Sequence, residues 1–172
     1  MEIQEFKVQV LSSKNKLFRF AFRLLQNQEE AEDTVQDVFL KLWDMRHKLD
    51  QYNSVEALAM KMTKNKCLDK LKAKRNQSVD IEKQAPIRSA YTAPDRKTEL
   101  QDTTNLIQKV INQLPEQQKM IIQLRDVEGL EFEEIAEVMQ LSVNNIRVNL
   151  SRARKKVRDV LTNTHNYGLK QN

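Results

Sequence analysis

The chain has 172 residues, with 29 Lys or Arg against 24 Asp or Glu and a formal net charge of +5. Only 2 Gly and 3 Pro occur, too few for the turn every ~8–12 residues that an all-β sandwich needs. No apolar run approaches the ~18 residues of a membrane span, and a single Cys (Cys67) excludes an intramolecular disulfide and any multi-cysteine zinc site. The opening MEIQEF is acidic and mixed, unlike a secretory signal. A soluble, cytoplasmic, all-α chain without direct membrane insertion is therefore expected.

Phe6, Val10, Leu17, Phe18, Ala21, Phe22, Leu24 and Leu25 recur at helical spacings, predicting one long or two short helices over residues 5–25. A second helix is expected over 29–48 and a third over 54–75. Residues 76–98 then hold Pro86 and Pro94 among Ser, Thr, Asn and Gln with no sustained period, the texture of a flexible linker. Periodicity returns with Leu106, Val110, Ile111 and Leu114. Pro115 suits the first position of a new helix, and Gly129 suits its end. Helices over 132–139 and from 142 to about 161 complete the pattern, with a frayed tail beyond. Two small helical domains are thus expected, at 1–75 and 99–165, joined by the 76–98 linker and followed by a 166–172 tail. Each is close to the lower size limit for a stable core.

Charge is distributed in blocks. From 29 to 44 the acids Glu29, Glu30, Glu32, Asp33, Asp37 and Asp44 stand against Lys41 alone, whereas from 61 to 75 Lys61, Lys64, Lys66, Lys70, Lys72, Lys74 and Arg75 stand against Asp69 alone. From 142 to 158 there are six cations and no acid. Two basic blocks suit two nucleic-acid contacts and the acidic block suits a basic protein partner, although a solvated helix face produces each pattern alone.

In the last segment, Phe132, Ile135, Ala136 and Met139 give a short helix an apolar face. Ser142 can cap the next helix through its hydroxyl. Val143, Ile146, Leu150, Ala153, Val157, Val160 and Leu161 all fall on one face of that helix. Opposite lie Asn144, Val148, Ser151 and Lys155, flanked by Asn145, Arg147, Arg152 and Arg158. Such side chains read base edges and thymine methyls, and a short helix, a tight turn and a polar, basic helix match a helix-turn-helix. Ala136, ten residues before Ile146, permits the close crossing. Gln140 stands where the turn suits Gly, at a cost of ~1 kcal/mol.

On the second helix, Ala31, Val35, Val38 and Leu42 form the core stripe, with Phe39 at its edge. Asp33, Asp37, Leu40 and Asp44 lie opposite, beside Gln36. A leucine ringed by carboxylates suits docking of a basic, partly apolar partner, though lone exposed leucines are common. On the third helix Val55, Leu58, Ala59 and Met62 form one stripe, and Cys67, Leu68 and Leu71 lie on another side. Seven basic residues exceed what the helix dipole needs, which favours phosphate contact.

The segments AEDTVQDVFLKLW (31–43), MTKNKCLDKLKAKR (62–75) and LPEQQKMIIQLRDVEGLEFEEIAEVMQLSVNNIRVNLSRARKKVRDVL (114–161) resemble a bacterial RNA polymerase sigma factor of the compact extracytoplasmic-function class. The resemblance implies sigma domains 2 and 4 joined by a linker. It implies that Asp33, Gln36, Asp37 and Leu40 dock core RNA polymerase. It also implies that the 47–53 loop, with His47, Asp50 and Asn53, captures a flipped base of the −10 promoter element. Asn65, Lys66, Lys70 and Lys74 would hold −10 DNA, and Asn144, Asn145, Arg147, Val148, Ser151, Arg152 and Lys155 would meet the −35 element. An anti-sigma factor is a further implied partner. Leu58 and Ala59 replace the family's usual Trp-Leu, removing an aromatic wall near the flipped base.

Two other readings stay open. A stand-alone transcriptional regulator would bind palindromic sites tightly without polymerase. An enzyme would need a catalytic inventory that is poor here: His47 and His165 are far apart in sequence, neither neighbours Cys67, and no Gly-rich phosphate loop or metal-ligand cluster occurs. No catalytic residue, metal or cofactor is expected.

Overall fold

Phe6 and Val10 open the apolar periodicity, and the computed structural model, which describes residues 2–79 and 99–168, places helix α1 there (Ile3–Gln9). A 3₁₀ turn at Leu11–Ser13 separates it from α2 (Lys14–Leu25), so the stretch 5–25 is two helices. Ser13 marks the break: its buried hydroxyl donates to the Val10 carbonyl at 2.6 Å, a local bond that competes with helical continuation. The core face of α2 is Leu17, Phe20, Ala21, Leu24 and Leu25. Phe18 and Phe22 stack on one another at 6.0 Å and stay half-buried.

Helix α3 (Gln28–Asp44) starts where the Asn27 side chain accepts the Glu30 backbone N–H at 3.0 Å. Glu29 and Glu30 in its first turn complement the dipole. Ala31, Val35, Val38 and Leu42 are buried as the stripe predicts, joined by Thr34, whose hydroxyl donates to the Glu30 carbonyl at 2.7 Å. The helix stops at Asp44 rather than 48. Arg46 folds back, donating to the Trp43 carbonyl at 3.0 Å with its guanidinium 4.5 Å from the Trp43 ring centre, and a 3₁₀ turn follows at Arg46–Gln51.

Helix α4 (Val55–Val79) is capped by the Ser54 hydroxyl, which accepts the Ala57 N–H at 3.1 Å. It runs four residues past the expected end because Asn76, Gln77, Ser78 and Val79 include no helix breaker. Its buried set is Ala57, Leu58, Ala59, Met60, Thr63, Lys64 and Cys67, so Lys64 is not displayed with the other lysines, and Val55 and Met62 are only half-buried. A helix that packs on both α2 and α3 buries more than one stripe, which is how Met60 becomes a core residue. The linker expected at 76–98 lies outside the described residues from 80 onward, as do residues 169–172 of the tail.

The second half begins with α5 (Glu99–Asn112) and α6 (Glu116–Ile122). Pro115 caps α6 from just outside, one residue before the position expected, with ψ of 144°. A wide π-type turn at Gln123–Val127 follows. Gly129, at φ +78°, takes the left-handed conformation just past the end of that turn. Underneath, Gln123 and Glu128 are nearly fully buried and bond through Nε2 and Oε1 at 3.0 Å. Helix α7 (Phe132–Met139) and helix α8 (Val143–Gly168) complete the chain. The Ser142 hydroxyl caps α8 by accepting the Asn145 N–H at 3.2 Å. Helix α8 continues well beyond 161, with Gly168 its last residue.

Among the described residues there is no strand. The chain divides into two compact units, the first carrying α1–α4 and the second nearly all of the later helices. In the first, α2, α3 and α4 pack on one another; in the second, α8 packs on α5 and α6.

Gln140 ends α7 in the left-handed region, at φ +56° and ψ +44°, and the Leu141 N–H reaches the Ala136 carbonyl at 3.1 Å. A Cβ in that conformation costs ~1–2 kcal/mol, part of which Gly forfeits to unfolded-state entropy. Gln140→Gly is therefore expected to raise the melting temperature of the second unit by about 2–6 °C in calorimetry. A lower midpoint would show that the glutamine side chain itself supports the turn.

Candidate functional site

The surface of α3 opposite its core stripe is built as the periodicity requires. Asp33, Gln36, Asp37 and Asp44 are exposed, and Leu40 is 64% exposed among them. Beside this face runs an open groove of about 360 Å³ lined by Phe6, Gln36, Phe39, Leu40 and Trp43. Phe6 of α1 meets the Trp43 ring edge-to-face at 5.2 Å, so α1 supplies one wall. Phe39 stands three residues after Gln36 and Trp43 three after Leu40, and the four-residue step between Phe39 and Trp43 is visible in the sequence as a second apolar strip. Phe6 has no local signal, since only the packing of α1 brings it there. An apolar trough edged by carboxylates suits a basic, amphipathic partner.

The lysines of α4 do not stand apart from that face. Lys66 donates to Asp37 Oδ2 at 2.8 Å, Lys74 pairs with Glu30 at 2.7 Å, and Lys70 reaches the Glu30 carbonyl at 3.3 Å. All three expected DNA-contact lysines thus rest against α3. Spacing along one helix cannot reveal this, because the pairs span 29 to 44 residues. Exposed ion pairs of this kind are weak and easily exchanged for phosphate.

Lys66 holds the Asp37 carboxyl below the ordinary carboxylate range, chiefly through its hydrogen bond. A depressed folded value means that this carboxylate supports the fold above its unfolded pKa and loses that support as pH falls through the folded one. In an NMR titration Asp37 is expected to ionise below free aspartate, and Lys66→Met is expected to move its midpoint upward. An unchanged midpoint would place the pair apart in solution.

His47, Asp50 and Asn53 are all exposed. The segment expected as a loop is mostly the 3₁₀ turn Arg46–Gln51, pinned by the fully buried Leu49. Tyr52, 38% exposed between Asp50 and Asn53, adds an aromatic face of the kind on which bases stack. Asn65 is exposed on α4.

On α8, Ile146, Leu150 and Ala153 are buried while Asn144, Asn145, Arg147, Val148, Ser151, Arg152 and Lys155 are all exposed. The seven expected reading residues therefore share one outward surface. Arg154 is set apart from them: it forms a two-point ion pair with Asp126, with Nε to Oδ2 at 2.9 Å, and the bond raises its pKa. Arg147 lies over the Phe132 ring at 5.2 Å from its centre, and Arg125 lies over the same ring at 4.8 Å. Arg125 also donates to the Leu130 carbonyl at 2.6 Å and pairs with Glu131 at 3.1 Å.

Among the described residues no cluster of His, Cys, Asp or Glu suits a metal ion, and no helix is long and apolar enough to cross a membrane. Cys67 is fully buried, and desolvation pushes its thiol up to about 12.

Comparison with known proteins matches both units. Residues 10–77 match the family model of sigma-70 region 2, and residues 104–157 match that of sigma-70 region 4. The chain is 26% identical over 161 residues to the RNA polymerase sigma-H factor of Pseudomonas aeruginosa, covering 88% of this chain and 83% of that protein. It is 23% identical over 157 residues to the ECF RNA polymerase sigma factor SigW of Bacillus subtilis, covering 86% and 84%. Among solved structures it is similar to the sigma factor RpoE in complex with the anti-sigma factor NepR from Bartonella quintana. That likeness has a TM-score of 0.68 and 26% identity, over 93% of this chain and 98% of that one. With the two regions matched in order on the two helical units, the chain belongs to the sigma-70 family of RNA polymerase sigma factors, in its extracytoplasmic-function class.

Proposed function

We propose that the acidic face of α3, with Asp33, Gln36, Asp37 and Leu40, docks core RNA polymerase, while two basic surfaces engage one promoter. As a sigma factor the chain directs transcription initiation at specific promoters. The roles that the family resemblance implies for its residues suit their chemistry. Arg147, Arg152, Asn144, Asn145, Ser151 and Val148 offer −35 base edges the donors, acceptors and apolar contacts of direct readout, and Lys155 adds phosphate attraction. Lys66, Lys70 and Lys74, with Asn65, hold the −10 strand, and His47, Asp50 and Asn53 border the site of an unstacked base. Opening the duplex costs a few kcal/mol per step, which stacking and backbone contacts offset. Joining both units to polymerase raises effective affinity without new contacts, so the free chain binds promoters weakly and the holoenzyme strongly.

The action is binding without bond chemistry, in the cytoplasm, with domain 2 over 1–75 and domain 4 over 99–165. An anti-sigma factor is a further expected partner, because the similar sigma factor RpoE is seen in complex with the anti-sigma factor NepR. The single observation that carries this reading is the outward display of all seven α8 residues from a capped helix-turn-helix. In vitro transcription with core polymerase across a randomised promoter library is expected to select two sequence blocks at fixed spacing. Selection of no motif, or of a palindrome bound without polymerase, would overturn it.

A further inference from the structure

Arg147 and Arg125 share one aromatic ring, and their edges are used differently. The Arg125 guanidinium is tied at its rim, donating to the Leu130 carbonyl at 2.6 Å and pairing with Glu131 at 3.1 Å. Arg147 is exposed, and among the described residues no ion pair holds it. A cation–π contact uses the face of a guanidinium and leaves its in-plane N–H fork open. That fork is the part that bonds the O6 and N7 acceptors of guanine. Phe132 itself is half-buried at the first turn of α7, so its ring is fixed by the fold while one part of it stays accessible.

We propose that Phe132 is a positioning residue for promoter recognition: its ring, steadied by the anchored Arg125, aims the donor fork of Arg147 into the −35 groove. The inference rests on the proposed role of α8 in DNA reading and adds a residue that has no polar atom with which to read a base itself. An arginine on a long flexible stem loses rotamer freedom when it binds a base edge. Stacking on Phe132 removes much of that freedom beforehand, so less is lost on contact. The ring also gathers two like charges at one end of the helix-turn-helix, which an approaching anionic groove neutralises. A purely structural Phe132 would serve only as apolar filler, and leucine would replace it.

The test uses the full chain in holoenzyme and a promoter duplex selected by the wild type from a randomised library. Phe132→Leu is expected to weaken binding of that duplex about three- to sixfold and to relax preference at the base pairs that Arg147→Ala also relaxes. Binding of an unrelated duplex stays within twofold. Phe132→Tyr, which keeps the ring, retains wild-type selectivity. Phe132→Leu combined with Arg147→Ala binds no more weakly than Arg147→Ala alone, because the ring acts through that arginine. In NMR spectra of the free chain, the Arg147 side-chain protons carry a ring-current shift that Phe132→Tyr keeps and Phe132→Leu removes. Additive losses in the double variant, or equal weakening on selected and unrelated duplexes, would overturn the inference alone. An Arg147→Ala variant with wild-type selectivity would instead overturn the reading of α8 on which it rests. Should Phe132→Leu fail to fold, absence of the ring-current shift in the wild type still decides against it.

Discussion

Reversing two charges on α3, Asp33→Lys with Asp37→Lys, is expected to weaken binding to core RNA polymerase by at least ~100-fold, roughly 3 kcal/mol. Both carboxylates face solvent beside the exposed Leu40 and the Phe6–Trp43 groove. Each reversal removes an attraction and installs a repulsion toward a basic partner, so the two together act on most of the electrostatic complementarity of the face. Gel filtration of labelled chain with purified core measures the loss. Asp37 also holds Lys66, so its reversal disturbs a lysine expected to touch DNA. Asp33→Lys alone leaves that pair intact and is expected to cost about tenfold. Double-variant binding within threefold of wild type would locate the docking face elsewhere.

Phe20→Ala is expected to remove most of the stability of the first unit while sparing the second. Phe20 is fully buried on α2, the helix that packs on both α3 and α4. Truncating a buried phenylalanine costs ~3–5 kcal/mol through lost transfer energy and the cavity left behind. A unit of this size has only about 4–11 kcal/mol to lose. Calorimetry of the full chain is expected to show the first unit's transition lowered by more than about 12 °C and the second unit's unmoved. A single transition shifted as a whole would mean that the two units unfold together.

Sequence periodicity was enough to place the described helices and the whole buried stripe of α3, but on α7 only Ile135 of the expected face is buried, beside Val138, while Phe132, Ala136 and Met139 are half-buried. The stripe Ala31, Val35, Val38, Leu42 is buried as 3.6-residue spacing requires, and on α8 Ile146, Leu150 and Ala153 are buried while Val143, Val157, Val160 and Leu161 of the same expected face are half-buried. It fell short where neighbours decide. Met60 is buried because α4 is packed from two sides, and Phe20 escapes a single-stripe count for the same reason. Helix ends depended on single side chains: Arg46 folding over Trp43 ends α3 early, which turns an expected loop into a 3₁₀ turn.

The site was legible to a similar degree. Charge blocks and helical phase identify which residues of α3 and α8 face outward. The ties from Lys66, Lys70 and Lys74 to α3, and the shared ring of Phe132, depend on residues distant along the chain or across a turn, whose approach no linear pattern encodes.

The one thiol of the chain offers a clock for the first unit. With a pKa near 12 and no accessible surface, Cys67 is both protonated and shielded at neutral pH, so alkylating reagents reach it only when the helices around it part. Its labelling rate then reports the frequency of those openings, with no second cysteine to confuse the signal. A docked protein that clamps α3 should slow the clock, whereas a ligand seated on α8 should leave it running at its own pace.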